Sequence, residues 1–381
     1  IASVAKAFSG AVALNLVRAG KLGLNQSLGE LLPGMPPAWG AVTVAEMLGH
    51  TSGLPDYTKS NAFAKQARTD PRGYVSPTEI IDWVRGDPLA FKPGTRYEYS
   101  NTDNIVIGLI AEALTGERYG AVLERLVFDP AGLRATSFPT GVAIPRPFIH
   151  GYLTAPGEQP QDVSTALSPS GAWASGAILS TPRDLNAFIR ADLGLRFFGP
   201  AQQRAQMSFW PGGESSPPGP GRNSAGLALF RYQTKCGTVY GHTGNFPGYV
   251  QFAAATANGR RAVTTSLNIP APKGKLLMSV DFNQLGLYVL AHLTKDRPAL
   301  KVLNKQDLAD PARTAEFMEG LSTEEAWQVL QHADEGTRGE ISDSSLSHSG
   351  ASASKPAMVE IVWTVSMSPL NPPDTRRNDS T

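Results

Sequence analysis

The stretch Ser3-Val4-Ala5-Lys6-Ala7-Phe8-Ser9-Gly10-Ala11-Val12-Ala13-Leu14-Asn15-Leu16-Val17 decides how the rest of the chain is read. Its apolar residues fall on every side of a helix rather than along one stripe, which marks an element surrounded by protein; Gly20 ends it. Lys6 breaks the pattern. An ammonium is costly to bury and desolvation favours its neutral form, so an interior lysine here is a proton acceptor at neutral pH. Ser3 lies one turn earlier on the same face, within hydrogen-bond reach of the amine. The pair reads as a nucleophile and its base.

Ser-x-x-Lys alone is weak. Average serine and lysine frequencies give roughly one or two matches by chance in a chain of this length, and Ser352-Ala353-Ser354-Lys355 is one such match. The plain alternative makes Ser3 a helix N-cap and Lys6 a solvated side chain. Other segments must decide.

The 381 residues suffice for one large core or two interleaved ones and carry a net charge of +1. No run of eighteen apolar residues occurs, so no membrane span is expected. The single Cys236 excludes an intramolecular disulfide and a cysteine-built zinc site. From Leu300 onward thirteen Asp and Glu face seven Lys and Arg, which leaves a mild positive excess on the rest, compatible with a small anionic substrate. Lys and Arg are scattered, without the clusters that a nucleic-acid surface needs. The chain starts two residues before Ser3, with no initiator Met, basic n-region or signal-peptide core. Upstream sequence, and a signal peptide with it, is therefore expected to be missing.

Thr43 followed by Glu46 is a capping box for a short helix. Next comes Gly49-His50-Thr51-Ser52-Gly53-Leu54-Pro55-Asp56-Tyr57, a tight loop of small hydroxyl residues and glycines. His50 is either an acid-base group or a loop-holding histidine; with no placed partner, the second is preferred. Residues 78–85 read as a helix with Ile80, Ile81 and Val84 inward. Pro93-Gly94 forces a turn, and Asn101, Thr102 or Asp103 is expected to cap a helix over 105–114 that stops at Gly116. Of ten tyrosines only Tyr99, on the loop entering that helix, has an asparagine two residues on. A tyrosine beside a neutral lysine relays a proton between nucleophile and leaving group, and an asparagine amide holds the lysine and binds a substrate amide. A core tyrosine with a capping Asn101 is the structural alternative. Further on, 184–193 reads as a helix, 171–177 as a small-residue stretch and 211–221 as a surface loop or rim, with Trp173 and Trp210 as core residues.

From Ala225 the apolar period changes to two. Leu227, Leu229 and Arg231 alternate with Ala228, Phe230 and Tyr232; Thr238-Val239-Tyr240-Gly241-His242-Thr243-Gly244 returns; 249–255 and 261–268 follow, and a helix over 276–293 packs across. Gly244 leaves room for a substrate along the strand edge, and His242 and Thr243 offer polar contacts above Ser3. The Ser3 and Asn245 N–H groups make a donor pair for an oxyanion.

Ser3-x-x-Lys6, Leu48-Gly49-His50-Thr51-Ser52-Gly53-Leu54, Tyr99-Ser100-Asn101 and His242-Thr243-Gly244, in this order, resemble the class C type of the serine β-lactamase and penicillin-binding superfamily. Asp56-Tyr57-Thr58, Tyr99-Ser100-Asn101-Thr102, His150-Gly151-Tyr152-Leu153-Thr154 and Tyr240-Gly241-His242-Thr243-Gly244 are most similar to its Streptomyces-type D-alanyl-D-alanine carboxypeptidases. The resemblance implies an α+β, β-lactamase/transpeptidase-like fold, with an antiparallel sheet flanked by helices beside a mainly helical subdomain. Residues 1–296 would form it, 1–224 mainly helical and 225–296 giving sheet and C-terminal helix. It also implies strands and a helix before Ser3 that this chain lacks, and a secreted or periplasmic location.

For chemistry, it implies acylation of Ser3, proton movement by Lys6 and Tyr99, and substrate binding by Asn101, His242, Thr243, Gly244 and Asn245, with no metal or cofactor. The substrate would be a small molecule or peptide with an amide, ester or β-lactam carbonyl. Leu229 stands where the carboxypeptidases carry a carboxylate-binding arginine, with Arg231 on the same strand face, and Asn245 stands where they have threonine. These departures weigh against carboxylate recognition and leave amidase or esterase chemistry open. The alternative is an inactive, shortened relative that at most binds peptides, which the intact motifs disfavour. Residues 297–381 have no counterpart and read as a largely disordered tail, with a helix over 323–333, a strand over 359–365, and disorder over 342–354 and 369–381.

Overall fold

Helix α1, Ala5–Arg18, is buried without a break from Ala5 to Leu14, following a single 3₁₀ turn over Ala2–Val4. The computed structural model describes residues 1–153 and 159–268 and the backbone of 287–288, 303–304 and 361–364. Phe8 anchors α1, stacked on Phe188 with ring centroids 3.5 Å apart and meeting Phe128 edge-on at 5.9 Å. Its buried hydroxyl is satisfied: Ser9 Oγ donates to the Ala174 carbonyl at 2.9 Å and accepts from the Tyr119 hydroxyl at 3.0 Å.

Three further helices frame the site. Helix α2, Asn101–Thr115, ends at Gly116, whose φ of 72° supplies the left-handed stop. Helix α3 is the single turn Trp173–Gly176, and α4, Pro182–Leu193, is capped by Thr181, which accepts from Asp184 N. The Thr43–Glu46 capping box forms as expected, and Pro77–Asp82 buries Ile80 and Ile81. The cap of α2 differs from expectation. Ser100 is its N-cap and makes no side-chain cap bond, and the Asn101 side chain, expected as a cap, is engaged by Lys6 and Asp56 instead. Trp173 packs in the core as expected, whereas Trp210 is 36% exposed.

The sheet is an antiparallel meander of seven strands that neighbour one another in chain order. They are β1 Trp210–Pro211, β2 Arg222–Ala225, β3 Phe230–Thr234, β4 Gly237–Phe246, β5 Tyr249–Ala255, β6 Ala262–Leu267 and β7 Ile361–Thr364. Period-two alternation splits β5 between two cores. Ala253 and Ala255 face the large core around α1, while Phe252 and Ala254 join Phe230 and Tyr232 on the other side.

The sheet begins earlier than the alternation from Ala225 indicates, since β1 and β2 flank the loop expected over 211–221. Residues 226–229 are a turn, with Ala228 at φ 54°. The helix expected over 276–293 is not what stands at its described part: Leu287–Tyr288 is a strand paired with Leu303–Asn304. A short apolar run fits either period, and pairing decided it. The strand expected over 359–365 is β7. The expectations for 323–333, 342–354 and 369–381 lie outside the described residues. No helix among the described residues is long and apolar enough to cross a membrane.

Candidate active site

The 3₁₀ turn and α1 bring Ser3 and Lys6 together: Lys6 Nζ donates to Ser3 Oγ at 3.1 Å, to Asn101 Oδ1 at 2.7 Å and to the Ser175 carbonyl at 2.9 Å. Lys6 is 0% exposed. Burial lowers its pKa to about 7, against the opposing pull of the Asp56 and Asp103 carboxylates. Three acceptors and no adjacent counter-ion hold the amine in place while leaving it easy to deprotonate.

Asn101 is aimed from its far end. Its Nδ2 donates to both Asp56 carboxylate oxygens at 3.3 Å, which turns Oδ1 toward Lys6. Asp56 itself is fixed by Thr58, whose N–H and hydroxyl donate to Oδ1 at 3.1 and 3.0 Å. The loop carrying Asp56 is held by backbone bonds from Ala90 N to Gly53 O, Gly94 N to Thr51 O and Glu98 N to His50 O, at 2.8 to 2.9 Å. Gly53 is required there. Its φ is +74° and a Cβ would stand 2.4 Å from the Phe91 carbonyl oxygen.

His50 is buried, with Nδ1 2.8 Å from Asp103 Oδ2, and Ser52 Oγ donates to Asp103 Oδ1 at 2.5 Å. Burial lowers the His50 pKa to about 3 and pushes Asp103 well up, so the histidine is uncharged. It lies under the loop and holds it, as the sequence indicated. Above it sits Tyr99, whose ring is 4.4 Å from His50 and 5.1 Å from Lys6 Nζ. The Tyr99 hydroxyl is buried and within no ordinary hydrogen-bond distance among the described residues, yet it is near enough to Ser3 to feel that hydroxyl. Burial pushes its pKa up against the influence of Ser3, so Tyr99 stays a phenol.

Strand β4 closes the far side. The Gly244 α-carbon faces the Ile1–Ser3 backbone so closely that a Cβ would lie 2.5 Å from Ile1 O and 3.2 Å from Ser3 N. Two-residue turns, Lys235-Cys236 and Pro247-Gly248, join β4 to its neighbours, and each makes its flanking pair hydrogen-bonded. Both therefore direct the odd residues of β4 toward β3 and the even ones toward β5. Pairing with β3 stops at Phe230↔Gly241. The Thr243 and Asn245 backbone groups consequently point to an edge that β3 leaves open.

One cavity contains Ser3, Tyr99, Asn101 and Asn245. His242 and Thr243, expected to touch substrate, do not line it. Thr243 Oγ1 donates to the Pro217 carbonyl at 2.6 Å, so the 211–221 loop takes up its hydroxyl. His242 is fully buried against Phe230, with Nδ1 2.5 Å from the Thr243 carbonyl. Burial holds it well below the usual imidazole range, hence neutral. Among the described residues, no three or more His, Cys, Asp or Glu converge as metal ligands would.

The family model described as Beta-lactamase matches residues 1–278. The chain belongs to the beta-lactamase family. Among relatives of this beta-lactamase family protein is Penicillin-binding protein 4* of Bacillus subtilis (strain 168), 27% identical over 269 residues, which cover 65% of this chain and 56% of the relative. Protein flp of Staphylococcus aureus (strain N315) is 30% identical over 142 residues, or 36% of this chain and 27% of that protein. The chain thus spans about half the length of the first and about a quarter of the second. Of solved structures, a D-stereospecific amidohydrolase from Streptomyces sp. is similar with a TM-score of 0.65 and 29% identity, over 71% of this chain and 81% of that one. The D-amino acid amidase from Ochrobactrum anthropi SV3, complexed with L-phenylalanine amide, gives 0.63 and 25% over 71% and 76%.

Three further contributors within the beta-lactamase family site were not singled out from the sequence. Asp56 orients Asn101, the Ser175 carbonyl accepts from Lys6, and Tyr57 reaches Ser175 Oγ at 3.1 Å. Asp56 and Tyr57 lay within a quoted motif, but only the fold brings Ser175 to Lys6.

Proposed function

We propose that this beta-lactamase family protein is a serine acyl-transfer hydrolase, acting as an amidase or esterase on small amide or ester substrates through an acyl-enzyme on Ser3. The observation that carries this reading is the buried Lys6 amine, 3.1 Å from Ser3 Oγ and lowered to about 7. At neutral pH a useful fraction is uncharged and accepts a proton. The Ser3 hydroxyl proton passes to Lys6 as Oγ bonds to the carbonyl carbon, and the Ser3 and Asn245 N–H groups receive the developing oxyanion. The tetrahedral species then loses its bond to the leaving nitrogen or oxygen, which takes a proton from the Lys6 ammonium, directly or through the Tyr99 hydroxyl. Water next attacks the ester, giving its proton to the same relay and releasing the acid with Ser3 restored.

Carboxypeptidase action is less favoured. Leu229 is buried in the core where the carboxylate-binding arginine is expected, and the Arg231 guanidinium is 4.7 Å from the Phe209 ring and bonded to Ser224 Oγ, away from the cavity. The amidohydrolase and the amidase among the structural neighbours agree with an amide substrate. The test is labelling with a fluorescent penicillin or a chromogenic ester. Burst acylation is expected for the native chain and none for Ser3→Ala; full labelling of that variant removes Ser3 from the nucleophile's role.

A further inference from the structure

Resting on the serine-hydrolase reading, we propose that the cavity beside Ser3 selects acyl groups that are bulky, apolar or aromatic, and uncharged, and rejects those carrying a carboxylate or an ammonium. The cavity is about 290 Å³, at the small end of sites for organic ligands. None of its lining residues is Asp, Glu, Lys or Arg among those described. Its lining includes the apolar and aromatic side chains Tyr57, Phe63, Val75, Trp83, Leu167 and Phe246.

Three of these rings form one cluster. Tyr57 meets Phe63 edge-on at 5.7 Å, Phe63 meets Trp83 at 6.0 Å, and Tyr57 lies 6.2 Å from Trp83. The Tyr57 hydroxyl is engaged with Ser175, so Tyr57 offers ring carbon rather than a free donor to a ligand. The polar side chains of the lining are uncharged, with Ser3, Tyr99, Asn101 and Asn245 joined by Thr58, Gln66 and three further serines.

A charged acyl group in such a space loses water and gains no counter-ion, a cost far larger than any gain from contact with the walls. An apolar ring gains burial and edge-to-face contacts. The cavity reaches Ser3, and its apolar wall is assigned to the part of the substrate that stays on the enzyme after the leaving group has gone. Asp56, the nearest carboxylate to Asn101, is turned into hydrogen bonds with Asn101 and Thr58 and does not line the cavity.

The experiment compares p-nitrophenyl esters that share one leaving group: 3-phenylpropanoate, acetate, hydrogen glutarate and 4-(trimethylammonio)butanoate, with Ser3→Ala as the blank. The phenylpropanoate is expected to exceed both charged esters by about 100-fold or more in kcat/KM. Trp83→Ala is expected to lower the phenylpropanoate-to-acetate ratio about tenfold, a ratio that is independent of how much of the variant folds. Gln66, half-buried on the helix Asn61–Thr69 at the cavity rim, offers the converse test. Gln66→Arg is expected to raise glutarate turnover relative to the cationic ester. Ser3-dependent turnover of either charged ester as fast as the phenylpropanoate overturns the selectivity while leaving Ser3 chemistry intact. No Ser3-dependent turnover of any ester overturns the serine-hydrolase reading and this inference with it.

Discussion

Lys6 is the residue on which the proposed chemistry turns, and two observables follow from its buried amine. Because its pKa is lowered to about 7, kcat/KM is expected to rise with pH through about 7 as the amine loses its proton. A flat profile between pH 5.5 and 8 contradicts that role. Between about 7 and the ordinary 10.5, the unfolded chain holds a proton on Lys6 that the folded chain has released. Stability contributed by this group therefore rises with pH across that window and is lost as pH falls through it. Urea midpoints are expected to increase between pH 7.5 and 9 for the native chain, and this slope should fall in Lys6→Met. The Asp56 carboxylate raises the Lys6 pKa while orienting Asn101. Asp56→Asn is expected to move the acid limb of the rate profile below 7 and to lower kcat about tenfold or more as Asn101 loses its aim. A drop in kcat with an unmoved limb leaves Asp56 a purely structural part.

At the scale of elements, the approach of β4 to the 3₁₀ turn before α1 sets the proposed oxyanion donors. Gly244→Ala puts a Cβ 2.5 Å from Ile1 O, so strand and turn must separate. An overpacking cost of about 1–3 kcal/mol is expected, together with a loss of about 100-fold in kcat from the misplaced donors; calorimetry and burst kinetics on one sample measure both. Wild-type activity in this variant would remove β4 from the site. Helices with local end signals were legible in the sequence, whereas Asn61–Thr69 and Pro200–Gln206 were not singled out. Gly116, the Thr43–Glu46 box and the Thr181 cap each act within one turn. The edge of the sheet was not, since Trp210–Pro211 and Arg222–Ala225 are too short and too rich in Pro, Gly and Ser around them to show a period. His242 and Thr243 were read as substrate contacts from their motif. Their burial depends on the 211–221 loop folding back so that the Pro217 carbonyl meets Thr243 Oγ1, a long-range event with no local trace.

Across the whole molecule, the site exists only because residues from three distant segments converge, with Ser3 from the 3₁₀ turn and Lys6 from α1 after it, Tyr99 and Asn101 from the entry to α2, and Asn245 from β4. Motif order made that convergence legible, whereas the Ser175 carbonyl on Lys6 and the Asp56 clamp on Asn101 needed the fold. The same helix α1 packs on the helical part and on the sheet, since Phe8, Leu229 and Ala253 share one core. A helical part and a sheet joined in this way should unfold together. Phe8→Ala removes a ring stacked 3.5 Å from Phe188 and is expected to cost about 3–5 kcal/mol. The loss should appear at one midpoint by far-UV and near-UV circular dichroism, with activity per folded molecule kept at low temperature because Phe8 does not line the cavity. Two separated transitions, or loss of activity without loss of stability, would mean that the site does not depend on a shared core around α1.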